Sequence, residues 1–340
     1  MSPAETPFFK STPFAVPDDL GRLSDLNSEV RAWLQKTLAF PVFDREPGLN
    51  AVTLYQTDEG GYWRRKVRYG NDSDDFVWAW LLVPKLVERP MPAVICLPGS
   101  FMTPNWGKDG PAGLAGPWDP GNPEAYGADL ARLGYIALCP DYPCAGERTS
   151  PGLKPYDTAS LDQRHPDWTR VGLSTWDVSR AVDFLIEVPE VDQARIGCTG
   201  WSQGGQMTSL GAALDTRISV LVSVCGWSPL RGLQGGVVEN LVQSYNFPNL
   251  AGSCHGEMLP FDLDYVAALI APRPFLDLRA SEDQFFPNTD QTRAVGEELS
   301  HLYERLGAAG QYCCKWFGGK HAYSANMARE TQAWLHRYLY

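Results

Sequence analysis

The sequence has few features of proteins that bind nucleic acids or membranes. It lacks any run of five Lys or Arg residues, and its formal net charge is −11 at pH 7. Phosphate backbones and anionic lipid surfaces require clustered positive charge, so neither is an expected partner. No stretch approaches the roughly 18 apolar residues of a membrane span, and residues 1–12 lack the apolar core of a secretory signal. We therefore expect a cytoplasmic protein.

Cysteine patterns that bind metals are also missing. The eight cysteines include no CxxC pair, which leaves a zinc or iron–sulfur site without support. We expect neither a metal nor a cofactor. Four cysteines lie in apolar, strand-like runs, where a free thiol acts as a small hydrophobic group; they are Cys96, Cys139, Cys198 and Cys225.

Hydrophobic patterning predicts an α/β protein with a mostly parallel central sheet. Beyond Pro84, short runs that are apolar on both faces alternate with amphipathic segments such as residues 174–187, whose Ser174 start fits a capping box. Upstream, YWRRKVRYG and FVWAWLLVP flank a turn at residues 71–75, which predicts an antiparallel hairpin. Helices are expected on both faces of the sheet.

The chain is expected to form one large catalytic domain with an N-terminal extension. Leucines spaced three and four apart in residues 18–38 predict a helical extension, residues 1–48, packed on a domain of residues 49–340. Segments rich in Gly, Pro and Trp follow predicted strands at 99–121, 142–173 and 228–260. Ligands bind at that edge of an α/β sheet, so these insertions are candidate pocket walls, although packed surface loops are the alternative.

A nucleophile motif lies where an apolar strand meets a helix. Gly200-Trp201-Ser202-Gln203-Gly204 fits G-x-S-x-G, in which a sharp turn projects the serine hydroxyl above the sheet. A serine needs a base and an orienting acid, which follow it in the order acid, then histidine. His321 comes after the last predicted strand, and Asp283 follows the strand RPFLDLRA, with neighbouring Glu282 as the alternative acid.

Other residues are candidates for stabilising the transition state or binding the substrate. Two convergent backbone N–H groups must bind the oxyanion; Gln203, next to the nucleophile, and Ser100, after the strand AVICLPG, are the expected donors. Trp227, at the end of a strand, is a candidate pocket wall. Arg148 and His255 lie in unassigned loops, where they would bind a carboxylate or hydroxyls or else anchor the loops. Asp277 and Arg279 share one strand face and form an expected local ion pair.

These motifs resemble the α/β-hydrolase superfamily, specifically dienelactone-hydrolase-like enzymes and bacterial carbohydrate esterases. GWSQGG looks like the G-x-S-Q-G-G of acetyl xylan esterases and cephalosporin C deacetylases, and Asp283 with Pro287 matches the D-x-x-x-P acid loop of related esterases. The chain lacks that family's R-G-Q element and has Ala322 after His321. The resemblance therefore implies a related branch that removes acetyl or methyl esters from a sugar.

Other functions share some of these sequence features. Prolyl-oligopeptidase-like peptidases share G-W-S-x-G-G but normally carry a large β-propeller, for which the N-terminal part is too short. A general short-chain esterase or dienelactone hydrolase is a second alternative, and a non-catalytic binder would not need the three residues. Ser202 excludes haloalkane dehalogenase and epoxide hydrolase chemistry, which needs a carboxylate nucleophile. The expected partner is a small-molecule or oligosaccharide ester, and homo-oligomerisation stays open.

Overall fold

Short apolar runs form the strands of one mixed sheet. The computed structural model describes residues 9–43, 46–72, 75–86, 90–100, 107–114, 124–233, 247–253 and 258–340. Its strands are Lys10–Ser11 (β1), Val52–Asp58 (β2), Tyr62–Gly70 (β3), Phe76–Pro84 (β4), Met91–Leu97 (β5), Ile136–Pro140 (β6), Val191–Trp201 (β7), Val220–Val224 (β8), Met258–Leu259 (β9), Phe275–Ala280 (β10) and Tyr312–Phe317 (β11).

Nine of these strands form the central sheet of the described residues, in the order β11-β10-β8-β7-β5-β6-β4-β3-β2. The six strands from β11 to β6 in that order are parallel to their neighbours. β4 pairs antiparallel with β6, and β3 pairs antiparallel with β4, as the predicted hairpin requires. β2 adds a further antiparallel strand at the edge. The predicted sheet is confirmed.

The helices cover both faces of this sheet. They are Leu23–Leu38 (α1), Tyr126–Arg132 (α2), Ala159–Arg164 (α3), Arg170–Glu187 (α4), Gln203–Leu214 (α5), Leu263–Ala268 (α6), Thr289–Arg305 (α7) and Ala325–Leu339 (α8). Alternate residues of β5 divide between two cores: Ile95 joins the apolar cluster that includes side chains of α4, α5 and α7, and Cys96 joins the cluster with α2 and α8. No helix among the described residues is long and apolar enough to cross a membrane.

The start of α4 differs from the prediction. The helix begins at Arg170, not at Ser174, and Thr169 is its N-cap, with its side-chain oxygen accepting the Gly172 N–H. Ser174 instead donates its hydroxyl to the Arg170 carbonyl at 2.7 Å. A hydroxyl satisfied within the preceding turn no longer signals a helix start, which explains the error of one turn.

The N-terminal segment is bound to the main domain at several places. Val30, Leu34 and Leu38 of α1 are four residues apart and fully buried. The Leu38 carbonyl accepts the Thr169 hydroxyl, so the end of α1 lies against the start of α4. Upstream, β1 pairs in parallel with β9. The division at residue 48 remains a prediction.

Candidate active site

The turn after β7 holds Ser202 in a strained backbone conformation. Its φ of 56° and ψ of −118° lie outside the regions that non-glycine residues favour. The Ser202 N–H donates to the Val224 carbonyl of β8 at 2.8 Å, which fixes the turn to the neighbouring strand. α5 begins at the next residue. Strain of this kind persists only where the surrounding structure enforces it, and it concentrates at functional sites.

Two glycines allow the backbone to pack tightly around Ser202. A Cβ atom on Gly204 would lie 2.1 Å from the carbonyl oxygen of Leu97, the last residue of β5. A Cβ on Gly200 would lie 2.5 Å from the carbonyl carbon of Gly204. Glycine is therefore required at both positions, for the steric reason that the sequence motif predicts.

His321 connects Ser202 with Asp283. Its Nε2 lies 2.8 Å from Ser202 Oγ, and its Nδ1 lies 2.7 Å from Asp283 Oδ2. Both the histidine and the aspartate side chains are almost buried, with 6% and 4% exposed. A carboxylate beside Nδ1 favours the tautomer that carries its proton there, which leaves Nε2 free to accept the serine proton. The structure thus brings the three predicted residues together.

The loop after β10 selects Asp283 over Glu282. Asp283 is buried and its Oδ1 accepts the N–H groups of Phe285 and Phe286 at 2.9 and 3.3 Å, which leaves Oδ2 for His321. Glu282 is exposed, and its backbone N–H donates to Gly319 in the histidine loop. The two loops are therefore joined by backbone and side-chain bonds.

Three aromatic rings that the sequence did not single out surround the His321 imidazole. The ring centroids of Trp201, Phe285 and Phe286 lie 5.5, 4.8 and 6.1 Å from that of the imidazole. Each is a close sequence neighbour of Ser202 or Asp283, and that proximity is the feature of the sequence that could have identified them. Low polarity around the Asp283–His321 pair strengthens their hydrogen bond.

Cys225 lies beside the same pair. Its Sγ and one ligand atom each of Asp283 and His321 all lie within 4.8 Å of one another. Burial and the nearby Asp283 carboxylate raise the pKa of Cys225 to about 12. The thiol is therefore neutral at pH 7, and adds no charge that would compete with Asp283 for His321. The apolar run had indicated only a core residue for Cys225.

The first turn of α5 presents N–H groups toward the nucleophile. Gln203 is its first residue, so its N–H has no acceptor within the helix. When the Gln203 side-chain amide is oriented so that its oxygen faces Arg170, that oxygen accepts hydrogen bonds from Arg170 Nη1 and Nη2 at 3.0 and 2.9 Å. Ser100 is exposed just beyond β5. The roles of Gln203 and Ser100 as oxyanion donors remain predictions.

The predicted substrate contact of Trp227 needs correction. Trp227 is 3% exposed, and the Arg279 guanidinium lies 4.4 Å from its ring centroid. Arg279 also bonds Asp277 at 2.5 Å, which is the expected local pair. The Trp227 ring therefore packs inside the domain against a buried cation, and it has almost no surface for a ligand.

Arg148 is likewise committed to the fold. Its side chain is 1% exposed and bonds Asp75 at 2.6 Å and Asp177 at 2.5 Å. Two carboxylates satisfy the charge that we expected to bind substrate, so the loop-anchoring alternative is correct. His255 lies outside the described residues, as do Trp106, Trp118 and Tyr245 of the predicted insertions.

Family models place the chain among known hydrolases. Residues 12–224, more than half of the chain, match the model described as Abhydrolase family. The chain belongs to this Abhydrolase family. Residues 169–307 also match a model described as glucuronyl esterase, fungi. The predicted α/β-hydrolase fold and the predicted serine hydrolase class are therefore confirmed for this Abhydrolase family member.

Individual relatives agree with the family. The chain is 28% identical over 266 residues to "Putative hydrolase YtaP" of Bacillus subtilis (strain 168), covering 77% of this chain and 83% of YtaP. It is 28% identical over 187 residues to 4-O-methyl-glucuronoyl methylesterase 1 of Sodiomyces alcalophilus, covering 48% of this chain and 37% of that protein. The shared part is thus 37% of that methylesterase.

Solved structures share the fold of this Abhydrolase family member. A glucuronoyl esterase from Solibacter usitatus superposes with a TM-score of 0.71 at 19% identity, covering 94% of both chains. Acetyl xylan esterase 1 from Thermoanaerobacterium sp. JW/SL YS485 superposes with a TM-score of 0.60 at 13% identity, covering 96% of this chain and 100% of that one. At such identities the likeness establishes the fold.

Proposed function

We propose that this protein hydrolyses short esters on a carbohydrate, with Ser202 as nucleophile, His321 as base and Asp283 as orienting acid. The observation that carries the proposal is the continuous hydrogen-bonded relay from Ser202 through His321 to Asp283, at 2.8 and 2.7 Å. Relatives named as glucuronoyl methylesterases support a sugar acid as the acyl part, and the methyl ester of a uronic acid is the first substrate to test.

The geometry supports a two-step acyl transfer. His321 Nε2 takes the hydroxyl proton while Ser202 Oγ attacks the ester carbonyl, and the resulting oxyanion lies at the N-terminus of α5, where we propose that Gln203 and Ser100 donate backbone N–H groups. The proton then passes from Nε2 to the leaving alcohol. Water, deprotonated by the same nitrogen, releases the acid from Ser202 and restores the enzyme.

The alternatives have less support. A peptidase would protonate an amine leaving group with the same three residues, but the second matching family model and the named methylesterase relative are esterases. A general short-chain esterase would use identical residues and differ only in the absence of sugar contacts. Substrate comparison therefore decides between them. Cytoplasmic location and oligomeric state remain predictions.

The test is a panel of esters with wild-type protein and Ser202→Ala as the blank. We expect the highest kcat/KM on a methyl glucuronate or acetyl ester carried by an oligosaccharide, because sugar units that do not react provide binding energy that raises turnover. The p-nitrophenyl esters of acetate, butyrate and octanoate report acyl-length preference. Activity that rises steadily with acyl length, together with none on any sugar ester, would overturn the carbohydrate proposal in favour of a lipid or general esterase.

A further inference from the structure

Two adjoining cavities lie beside the start of α4. The larger has a volume of about 730 Å³ and runs between the end of α1 and α4. The smaller has a volume of about 450 Å³. Both are lined by Phe43, Glu46 and Trp168, so they form one continuous depression, which we call the aromatic groove. None of its lining residues belongs to the Ser202–His321–Asp283 cluster.

Aromatic rings that support one another line the groove. Phe43 lies edge-on to Trp168 at 5.3 Å and tilted against Trp176 at 5.2 Å between ring centroids. Trp176 donates its indole N–H to the Asn71 carbonyl at 2.7 Å. His165 stacks on Trp168 at 3.7 Å with an interplanar angle of 7°. These contacts hold the rings in place before any ligand arrives, which lowers the entropic cost of binding.

The polar groups of the lining disfavour an anionic occupant. The exposed carboxylates of Glu46 and Asp167 outnumber the single lysine, Lys36, whereas the Asp72 carboxylate is buried beside His165. Glu46 remains 66% exposed although it pairs with Arg180 at 3.0 Å. Carboxylate and amide oxygens accept hydrogen bonds from hydroxyl groups, and aromatic faces pack against apolar surface. A neutral, polyhydroxylated ligand with C–H faces, which is a sugar chain, fits both features.

The start of the groove lies at the sheet edge that carries the nucleophile. In a parallel α/β unit, the helix between two strands begins at the carboxyl edge of the sheet. Trp168 precedes α4 by two residues, and Arg170 bonds the side chain of Gln203, the neighbour of Ser202. One buried arginine thus connects the start of the groove to the nucleophile turn.

We propose that the aromatic groove binds the neutral glycan chain that carries the ester, at a distance from the reacting carbonyl. This inference rests on the proposed carbohydrate esterase function. Its role is to supply binding energy from sugar units that do not react. It therefore predicts that the length of the oligosaccharide affects catalysis, and that Trp168 and Phe43 mediate the effect.

The kinetic test compares an esterified oligosaccharide with p-nitrophenyl acetate, which is too small to reach the groove. For Trp168→Ala we expect kcat/KM on the oligosaccharide ester to fall about tenfold, with kcat contributing to the fall, against less than about twofold on p-nitrophenyl acetate. Phe43→Leu should show the same contrast more weakly. Because it removes less apolar volume, it is the variant to use if Trp168→Ala does not fold. Trp316→Ala is the matched control, because Trp316 lies on edge strand β11 against Arg293 and does not line the groove. This variant should leave kcat/KM unchanged on both the oligosaccharide ester and p-nitrophenyl acetate.

A binding measurement separates this inference from the proposed function. Calorimetry with Ser202→Ala and unesterified xylohexaose should show binding that the Ser202→Ala, Trp168→Ala double variant loses. Equal affinity of the single and double variants for xylohexaose would overturn the proposed role of the groove. So would an equal loss of kcat/KM on the large and small esters in Trp168→Ala. Binding of xylohexaose without hydrolysis of any sugar ester by wild-type protein would instead retain the groove and overturn the proposed reaction.

Discussion

The loops after β6 and β7 are held in place by different forces. The turn after β7 is fixed by backbone packing, with Gly204 directly against the Leu97 carbonyl. The loop after β6 is fixed by charge: Asp141, which is buried, accepts from Lys108 Nζ at 2.7 Å, and Arg148 bonds Asp177. Only the turn after β7 carries the nucleophile.

The difference shows how each kind of contact limits position. Steric contact at a glycine tolerates shifts of only tenths of an ångström, which suits a hydroxyl that must meet a histidine at hydrogen-bond distance. Ion pairs tolerate small movements but lose their value when one partner is removed or protonated. We therefore expect changes in the first loop to act mainly on turnover and changes in the second to act mainly on stability.

The largest effect should come from Ser202→Ala. Removing the hydroxyl abolishes the acyl-enzyme, so kcat should fall by a factor on the order of 10⁴ or more, while the thermal unfolding midpoint changes little. Steady-state kinetics and a melting curve on one preparation check both parts. Turnover close to wild type would end the serine hydrolase assignment of this residue.

The next largest effect on kcat should come from replacing the orienting acid, Asp283. Asp283→Asn should lower kcat by roughly 10³ to 10⁴, because an amide no longer favours the productive histidine tautomer. Glu282→Gln is the control, since its side chain is exposed, and it should keep nearly full activity. The opposite ranking of the two variants would transfer the role to Glu282.

A methyl group at position 204 tests the packing itself. Gly204→Ala must displace the Leu97 carbonyl or α5, so we expect about 10² lower kcat and a loss of about 1–3 kcal/mol in the free energy of unfolding. Gly61→Ala is the matched control, because a Cβ there meets nothing within 4 Å. Equal behaviour of the two variants would show that backbone packing does not hold Ser202.

The charged loop should respond in the opposite way. Arg148→Met leaves the buried Asp177 without its cation, which should cost about 3–5 kcal/mol of unfolding free energy, measured by urea titration. The kcat of the remaining folded protein should change less than about threefold. A large loss of kcat without a loss of stability would instead restore the predicted substrate role of Arg148.

The smallest effect concerns acid stability. Burial opposes ionisation of Asp75, but Arg148 prevails and lowers the Asp75 pKa below its ordinary value of 3.8. A carboxyl with a lowered folded pKa stabilises the protein above its unfolded pKa and loses that contribution as the pH falls. Asp75→Asn should therefore lose less stability than wild type between about pH 5 and about pH 2, in urea titrations at each pH. Parallel plots of unfolding free energy against pH for Asp75→Asn and wild type would contradict this prediction.

The sequence predicts local features of the site better than its distant ones. Ser202, Gly200 and Gly204 could be assigned because five adjacent residues determine the turn, and His321 and Asp283 because each follows a recognisable strand. Arg148 and Trp227 could not, since their partners Asp177 and Arg279 lie 29 and 52 residues away and only the fold brings them together. Phe43 and Trp168 of the groove are separated even further.

The pairing of β1 with β9 has a consequence for how the chain is made. Lys10 aligns with Met258, and the Phe14 N–H donates to Asp264 Oδ2 at 2.8 Å. At a synthesis rate of about 5–20 residues per second, the first of these segments waits roughly 12–50 s for the second to leave the ribosome. During that interval Phe9 and Phe14, which are buried in the folded protein, have no docking site. Chaperone capture or proteolysis of the nascent chain should therefore concentrate at this N-terminal segment.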